Sequence, residues 1–281
     1  MTEYLRLVRP RIVGMVLLAM GVAAYATPAA PDDLPPWHVV LHALLGTALV
    51  IAGAVALNQR IERRGDASMA RTASRPLPAG RLRDAQVTRF GLLLTGVGLV
   101  WLAVLCEPAV TALAAASWAV YVLVYTPLKS RSAWQTPVGA AAGAMPVLLG
   151  AAAAGALWTP TAAGLFGIVF FWQLPHSMAI ARLYREQFAA AGVKLATTTD
   201  PSGAAAGWIA VLGATALLGM SVVPFLLGRA GWAFLTAAVV LGAGYLLAAG
   251  RFLAVRDERS ARWLLTASLL YLPAVLLALL V

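Results

Sequence analysis

Charge is scarce in this sequence, and cysteine almost absent. Only 11% of the 281 residues are charged, against 61% that are hydrophobic, too little polarity to cover a water-exposed surface. A soluble globule is excluded. The single cysteine, Cys106, closes no intrachain disulfide and cannot build a four-cysteine metal site. Acids are outnumbered, 11 Asp+Glu to 21 Lys+Arg, for a formal charge of +10. The bases do not form the continuous polar face that a polyanion needs; they stand in gaps between apolar runs. Nucleic acid is therefore not an expected partner. Alternating strand patterns, linkers and low-complexity tracts are also missing, so residues 1–281 are expected to form one domain.

Apolar runs long enough to cross a bilayer are what the sequence does contain. Nine occur, at 10–26, 37–57, 86–106, 109–126, 136–157, 161–182, 203–227, 232–253 and 262–281. A backbone in lipid must satisfy its own polar groups, so each is expected to be a helix and the fold an all-α polytopic bundle. Of the 21 basic residues, 19 fall in the N-terminal tail and in the gaps 59–85, 127–135, 182–202 and 251–262; the alternate gaps hold only Arg229, and Arg89 lies just inside the third run. The positive-inside rule then places the N-terminus and the two long basic loops in the cytoplasm and the C-terminus outside. The first run follows Arg6, Arg9 and Arg11 and ends Ala24-Tyr25-Ala26, a signal-peptide-like pattern. Retention of the segment is the favoured reading, and the absence of a transit-peptide pattern before Arg6 points to a bacterial inner (plasma) membrane. The short loop Thr27 to Pro36 belongs to the opposite face, and the two polar loops after the second and sixth runs suggest a pseudo-repeat.

The richest polar stretch leaves the second run. Asn58, Glu62 and Asp66 are spaced four apart, which on a helix puts three oxygen donors on nearly one face. Magnesium takes one or two carboxylates together with substrate phosphates, and Arg71 and Arg75 offer bidentate donors to phosphate oxygens. Two readings stand on these residues alone. One is a metal-bound diphosphate site; in the other the arginines enforce topology while Glu62 and Asp66 relieve their repulsion. His176, inside the sixth run, is an ionisable group where such groups are costly and by default functional, either as ligand or base. Its bland alternative is a hydrogen bond to the backbone freed by Pro175. His38 and His42, beside Trp37, read as interfacial, as do most tryptophans and tyrosines; Trp172 is the exception. Tyr125 and Lys129 read either as diphosphate contacts or as a topological loop.

The run Asn58-x3-Glu62-x3-Asp66-x2-Met69-x-Arg71-Thr72-x2-Arg75-Pro76-Leu77 resembles the first motif of the UbiA prenyltransferase superfamily, and within it the protoheme IX farnesyltransferases, or heme O synthases. Tyr125-Thr-Pro-Leu-Lys129, with Gly139 and Gly143-Ala-Met-Pro146 after it, resembles that family's loop and glycine-proline helix. Trp172-Gln173-Leu-Pro175-His176 resembles its Trp-Gln-x-Pro-His segment. The resemblance implies nine helices around a central cavity open to the cytoplasmic side. It also implies Mg2+ on Asn58, Glu62 and Asp66, and substrate contacts from Arg71, Arg75, Tyr125, Lys129, Trp172 and Gln173, with His176 catalytic. The implied partners are farnesyl diphosphate, heme b as substrate, the lipid bilayer and, downstream, heme A synthase or terminal oxidase assembly. The alternatives carried are transfer to a quinone precursor or other aromatic acceptor, and a non-catalytic protein that binds heme or prenyl diphosphate. Two departures stand out. Glu62 replaces the family's usual aspartate, and Gln187 replaces the acid after the sixth run, with Glu186 and Asp200 as the nearest carboxylates.

Overall fold

The computed structural model describes residues 2–28 and 33–280; Met1, residues 29–32 in the loop Thr27 to Pro36, and Val281 at the end of the ninth expected span lie outside the described residues. The chain runs α1 (Thr2–Val8), α2 (Pro10–Ala26), α3 (Trp37–Ala67), α4 (Asp84–Leu105), α5 (Pro108–Ala119), a π-helical turn (Val120–Tyr125), α6 (Thr126–Leu128), α7 (Gln135–Ala153), α8 (Pro160–Leu183), α9 (Arg185–Ala190), α10 (Ala196–Thr199), α11 (Ala204–Leu226), α12 (Trp232–Val255) and α13 (Glu258–Ala278). No strand occurs among the described residues. Among the described residues eight helical stretches are long and apolar enough to span a bilayer, and α1 with α2, bent by 44°, makes a ninth if the pair is counted as one span. The expected boundaries hold to within a few residues, except that the second span continues to Ala67 as one 31-residue helix. Asn58, Glu62 and Asp66 therefore lie on regular helix, as their four-residue spacing predicts.

Small residues set how closely the helices approach. In lipid the hydrophobic effect gives little drive between helices, and backbone proximity through glycine and alanine takes over. On α3 and α4 a Cβ added at Gly53 would fall 2.6 Å from the Gly91 carbonyl oxygen, and one at Gly98 would fall 2.8 Å from that of Gly46. Side chains larger than hydrogen there would force the pair apart. α2 lies equally close to α7, where Gly150 faces the Met20 carbonyl and the Ala24 amide. Leu and Val side chains such as Leu93, Val104, Leu212 and Leu247 point outward, consistent with a lipid-facing surface.

Contacts sort the loops into two faces. On one, Arg81 pairs with Glu3 at 2.8 Å, the Lys194 amide donates to the Lys129 carbonyl at 2.7 Å, and Arg182 Nε donates to the Arg256 carbonyl at 2.7 Å. The N-terminal helix and all four basic loops thus gather together, as the charge pattern requires. On the other, Arg229 donates to the Pro28 carbonyl at 2.8 Å.

Candidate active site

A cavity of about 570 Å³ lies under the basic loops, walled by α2, α3, the π-turn, α7 and α8. Asn58, Glu62 and Asp66 all line it, so the four-residue ladder faces an internal chamber. Arg71, Arg75, Tyr125, Lys129, Gln173 and His176 line it too. Trp172 does not, which corrects the expectation of a substrate contact. Its position on α8 turns the indole toward α13, where Nε1 donates to the Ser268 carbonyl at 2.8 Å and the ring stacks on the His176 imidazole with centroids 4.8 Å apart. Trp172 is a support for His176.

The acids in the ladder are already neutralised by bases from other segments. Asp66, 1% exposed, pairs with Arg75, and Lys129 Nζ stands 2.5 Å from Glu62 Oε1 without the alignment of a hydrogen bond. Burial alone would lower the Lys129 pKa, but the Tyr125, Glu62 and Tyr121 oxygens outweigh it and hold the ammonium above its ordinary value. Arg71 is pulled below its ordinary value, first by burial and then by the Arg75 charge beside it. Its guanidinium lies 5.2 Å from the centre of the Tyr184 ring and 5.7 Å from that of Phe188.

Two hydroxyls fix the polarity of the neutral groups. The Thr126 hydroxyl donates to the Tyr121 carbonyl at 2.7 Å and so accepts from Asn58 Nδ2 at 2.9 Å. The amide nitrogen is committed, and the Asn58 carbonyl oxygen is left without a hydrogen-bond donor to it. The Ser268 hydroxyl donates to the Leu265 carbonyl at 2.6 Å and therefore accepts from His176 Nδ1 at 2.8 Å. The imidazole is the Nδ1–H tautomer, with Nε2 as a free lone pair on a cavity-lining residue. The bond to backbone freed by Pro175 is not the one that forms.

Glycines on α7 seat two of the walls. A Cβ at Gly139 would lie 2.5 Å from Tyr125 Cε2, and one at Gly143 would lie 3.0 Å from Gln173 Cδ. Gln173 is thereby free to donate to the Ala140 carbonyl at 3.1 Å. Gly143→Ala is expected to push Gln173 out of place and reduce catalytic turnover about tenfold, an overpacking penalty of roughly 1–3 kcal/mol falling on the site more than on the bundle. Steady-state kinetics beside a thermal unfolding curve checks the split. The π-turn, a local form often found at functional sites, carries Tyr121 and Tyr125 with ring centres 5.5 Å apart and Lys129 Nζ 4.4 Å from the Tyr125 ring centre.

Gln187 Oε1 accepts from the Arg71 amide at 3.3 Å and so ties the loop after α3 to the segment after α8. Asp200 caps α11, accepting from the Ala205 amide at 2.8 Å, and neither it nor Glu186 lines the cavity. Among the described residues no group of three His, Cys, Asp or Glu side chains converges on a metal position. The oxygen donors that line the cavity in a row along α3, Asn58, Glu62 and Asp66, are hard and carboxylate-bearing. They fit Mg2+ better than a softer ion. Arg9, Tyr121, Thr126 and Gln135 also line the cavity and were not singled out by sequence reasoning. For Arg9 the signal was available, an arginine directly before Pro10 at the start of an apolar run.

The chain belongs to the UbiA prenyltransferase family, whose model matches residues 15–276. Among its relatives are protoheme IX farnesyltransferases. That of Solibacter usitatus is 39% identical over 284 residues, spanning 98% of this chain and 96% of that one. That of Rhodopirellula baltica is 40% identical, spanning 97% of each. The fold is shared with a digeranylgeranylglyceryl phosphate synthase, TM-score 0.79 at 17% identity over 99% of this chain and 96% of that one. A UbiA homologue from Archaeoglobus fulgidus bound to DMAPP and Mg2+ has TM-score 0.62 at 14% identity, over 99% of both chains.

Proposed function

We propose that this membrane protein is a Mg2+-dependent prenyltransferase that moves a farnesyl group from farnesyl diphosphate to a vinyl group of heme b, giving heme O. The observation that carries the reading is one cavity in which two carboxylates and an amide oxygen face three bases, Arg71, Arg75 and Lys129. Near-full-length identity to protoheme IX farnesyltransferases supports the choice of donor and acceptor.

Asn58, Glu62 and Asp66 would hold Mg2+, which when bound supplies charge for the departing diphosphate. Arg71, Arg75 and Lys129 bind the diphosphate oxygens and take up the negative charge as the allylic C–O bond breaks, charge placed in advance where it develops. The vinyl carbon attacks the farnesyl cation, forming the new C–C bond and moving positive charge to the carbon beside the porphyrin ring. Water closes that cation to the alcohol, and His176 Nε2, held unprotonated by Ser268, takes the released proton. The loops joined through Gln187 and Lys194 limit water until then. The basic loops face the cytoplasm of a bacterial plasma membrane, the whole chain acts as one transmembrane unit, and heme O passes to heme A synthase or oxidase assembly.

Membranes containing the protein, given heme b, farnesyl diphosphate and Mg2+, should yield a farnesylated heme by mass spectrometry. Product on a quinone precursor alone, or binding without turnover, would overturn the assignment. For orientation, single cysteines at Ser68 and Trp232 in a Cys106→Ser background are expected to label from opposite sides of sealed vesicles, Ser68 from the cytoplasmic side.

A further inference from the structure

The cation that the proposed transfer leaves beside the porphyrin ring has two fates. Water can add to it, or it can shed a proton from the neighbouring carbon and close to an alkene, so an alcohol product requires a water held in position. The ion pairs of the cavity belong to the residues nearest the loops. Gln173 and His176 lie deeper: α8 ends at Leu183, which puts Gln173 about 15 Å below the loops, facing Ala140 of α7. Ser177 adds a hydroxyl to this part of the wall but no charge.

The hydrogen bonds of Gln173 fix which way its amide is turned. Two backbone carbonyls, Ala140 at 3.1 Å and Val169 at 3.0 Å, converge on one amide atom. Carbonyls accept and do not donate, so that atom is the nitrogen and both of its hydrogens are spent. Among the described residues nothing donates to Oε1, and that oxygen is not sealed within the packing. Gly143 makes the room, because a Cβ there would run into the same oxygen. The amide thus shows the cavity an acceptor and no donor. His176 does the same: with Nδ1–H given to Ser268, Nε2 is a lone pair, and it too is neither bonded nor sealed. Positions three apart on a helix are neighbours, with Cβ atoms about 5–6 Å apart. A diphosphate would meet two lone pairs here, and a hydrocarbon chain brings no hydrogen to either. One water fits, since its two O–H groups make bonds of about 2.8 Å from a single oxygen.

We propose that Gln173 is a further catalytic residue, which together with His176 holds the water that closes the cation to the alcohol. The inference rests on the heme farnesylation reading above and deepens it by assigning residues to addition over elimination. The water donates one hydrogen to Gln173 Oε1 and the other to His176 Nε2, which leaves an oxygen lone pair for the cation. As that pair forms the C–O bond, the O–H bond toward His176 breaks and its proton passes to Nε2, so the positive charge moves from carbon to imidazolium. Gln173 takes no proton and keeps the oxygen in place through the step.

The test gives membranes carrying the full chain heme b, farnesyl diphosphate and Mg2+ in water enriched in heavy oxygen, and resolves the products by mass. Wild type is expected to give the alcohol with solvent oxygen in it. Gln173→Met should raise the ratio of the alkene, lighter by one water, to the alcohol about tenfold, the scale of one hydrogen bond lost from a transition state. Gly143→Ala displaces the same amide without altering its chemistry and should move the ratio in the same direction. Arg71→Met should lower total product and leave the ratio alone. A Gln173 that merely clasps α7 to α8 would behave like Arg71, with less product in the wild-type ratio; that result overturns the proposal while the prenyltransferase reading stands. Where Gln173→Met fails to fold, Gly143→Ala carries the test, and an unchanged ratio there overturns the proposal. So does a wild type whose product is the alkene, or an alcohol whose oxygen is not the solvent's. Absence of any farnesylated heme from the wild type overturns both.

Discussion

Asp66→Asn is expected to lower farnesyl transfer about a thousandfold, the scale seen when charge prepared for a transition state is removed. The volume hardly changes, and the amide keeps one oxygen for Arg75, so the bundle should still fold. What is lost is an anionic oxygen for Mg2+ and the charge that holds Arg75 at the cavity wall. Glu62→Gln should be milder in folding and similar in rate, because Lys129 retains the Tyr125 ring as a second contact. Initial rates across a Mg2+ titration distinguish the losses. A rate recovered at high Mg2+ marks weakened metal binding, and a rate that stays low marks a misplaced Arg75. Unimpaired turnover in Asp66→Asn would remove the ladder from the mechanism.

The second large effect is on folding. Gly150→Leu is expected to destabilise the protein by about 3 kcal/mol or more, at the upper end for overpacking. A Cβ at this position meets the Met20 carbonyl, a backbone atom that cannot rotate away. The α2–α7 contact must then open, and α2 carries the start of the site at Arg9. Gly244, where an added Cβ would meet nothing, gives the contrast: Gly244→Leu should leave the unfolding midpoint close to wild type. Unfolding in graded detergent, followed by circular dichroism, reads both.

The bundle was legible because a bilayer imposes a length on each apolar run, and few residue types meet it. The apolar run of the second span stops at residue 57, although α3 continues through Asp66. Polarity reports exposure to the cavity as readily as exposure to water, so composition alone could not place the helix end. Asn58, Glu62 and Asp66 were found because a helical repeat survives in sequence. Trp172 was misplaced as a contact for a related reason. Neighbouring Gln173 and His176 line the cavity, but a step of one residue turns a helical side chain by about 100°, and here that turn carries the indole to α13. Ser268, 92 positions beyond His176, sets its tautomer through a contact that no local pattern announces.

The two ion pairs in the resting cavity also say something about loading. Arg75 and Lys129 are anchored to the acids that a metal would need, so an arriving cation alone must compete with bases already seated, and an arriving anion alone must draw those bases from the acids. On the proposed reading a magnesium–diphosphate unit would meet neither obstacle, since each base would gain a phosphate oxygen for the carboxylate it gives up. A chamber so arranged would favour its two charged guests as a couple over either one arriving by itself.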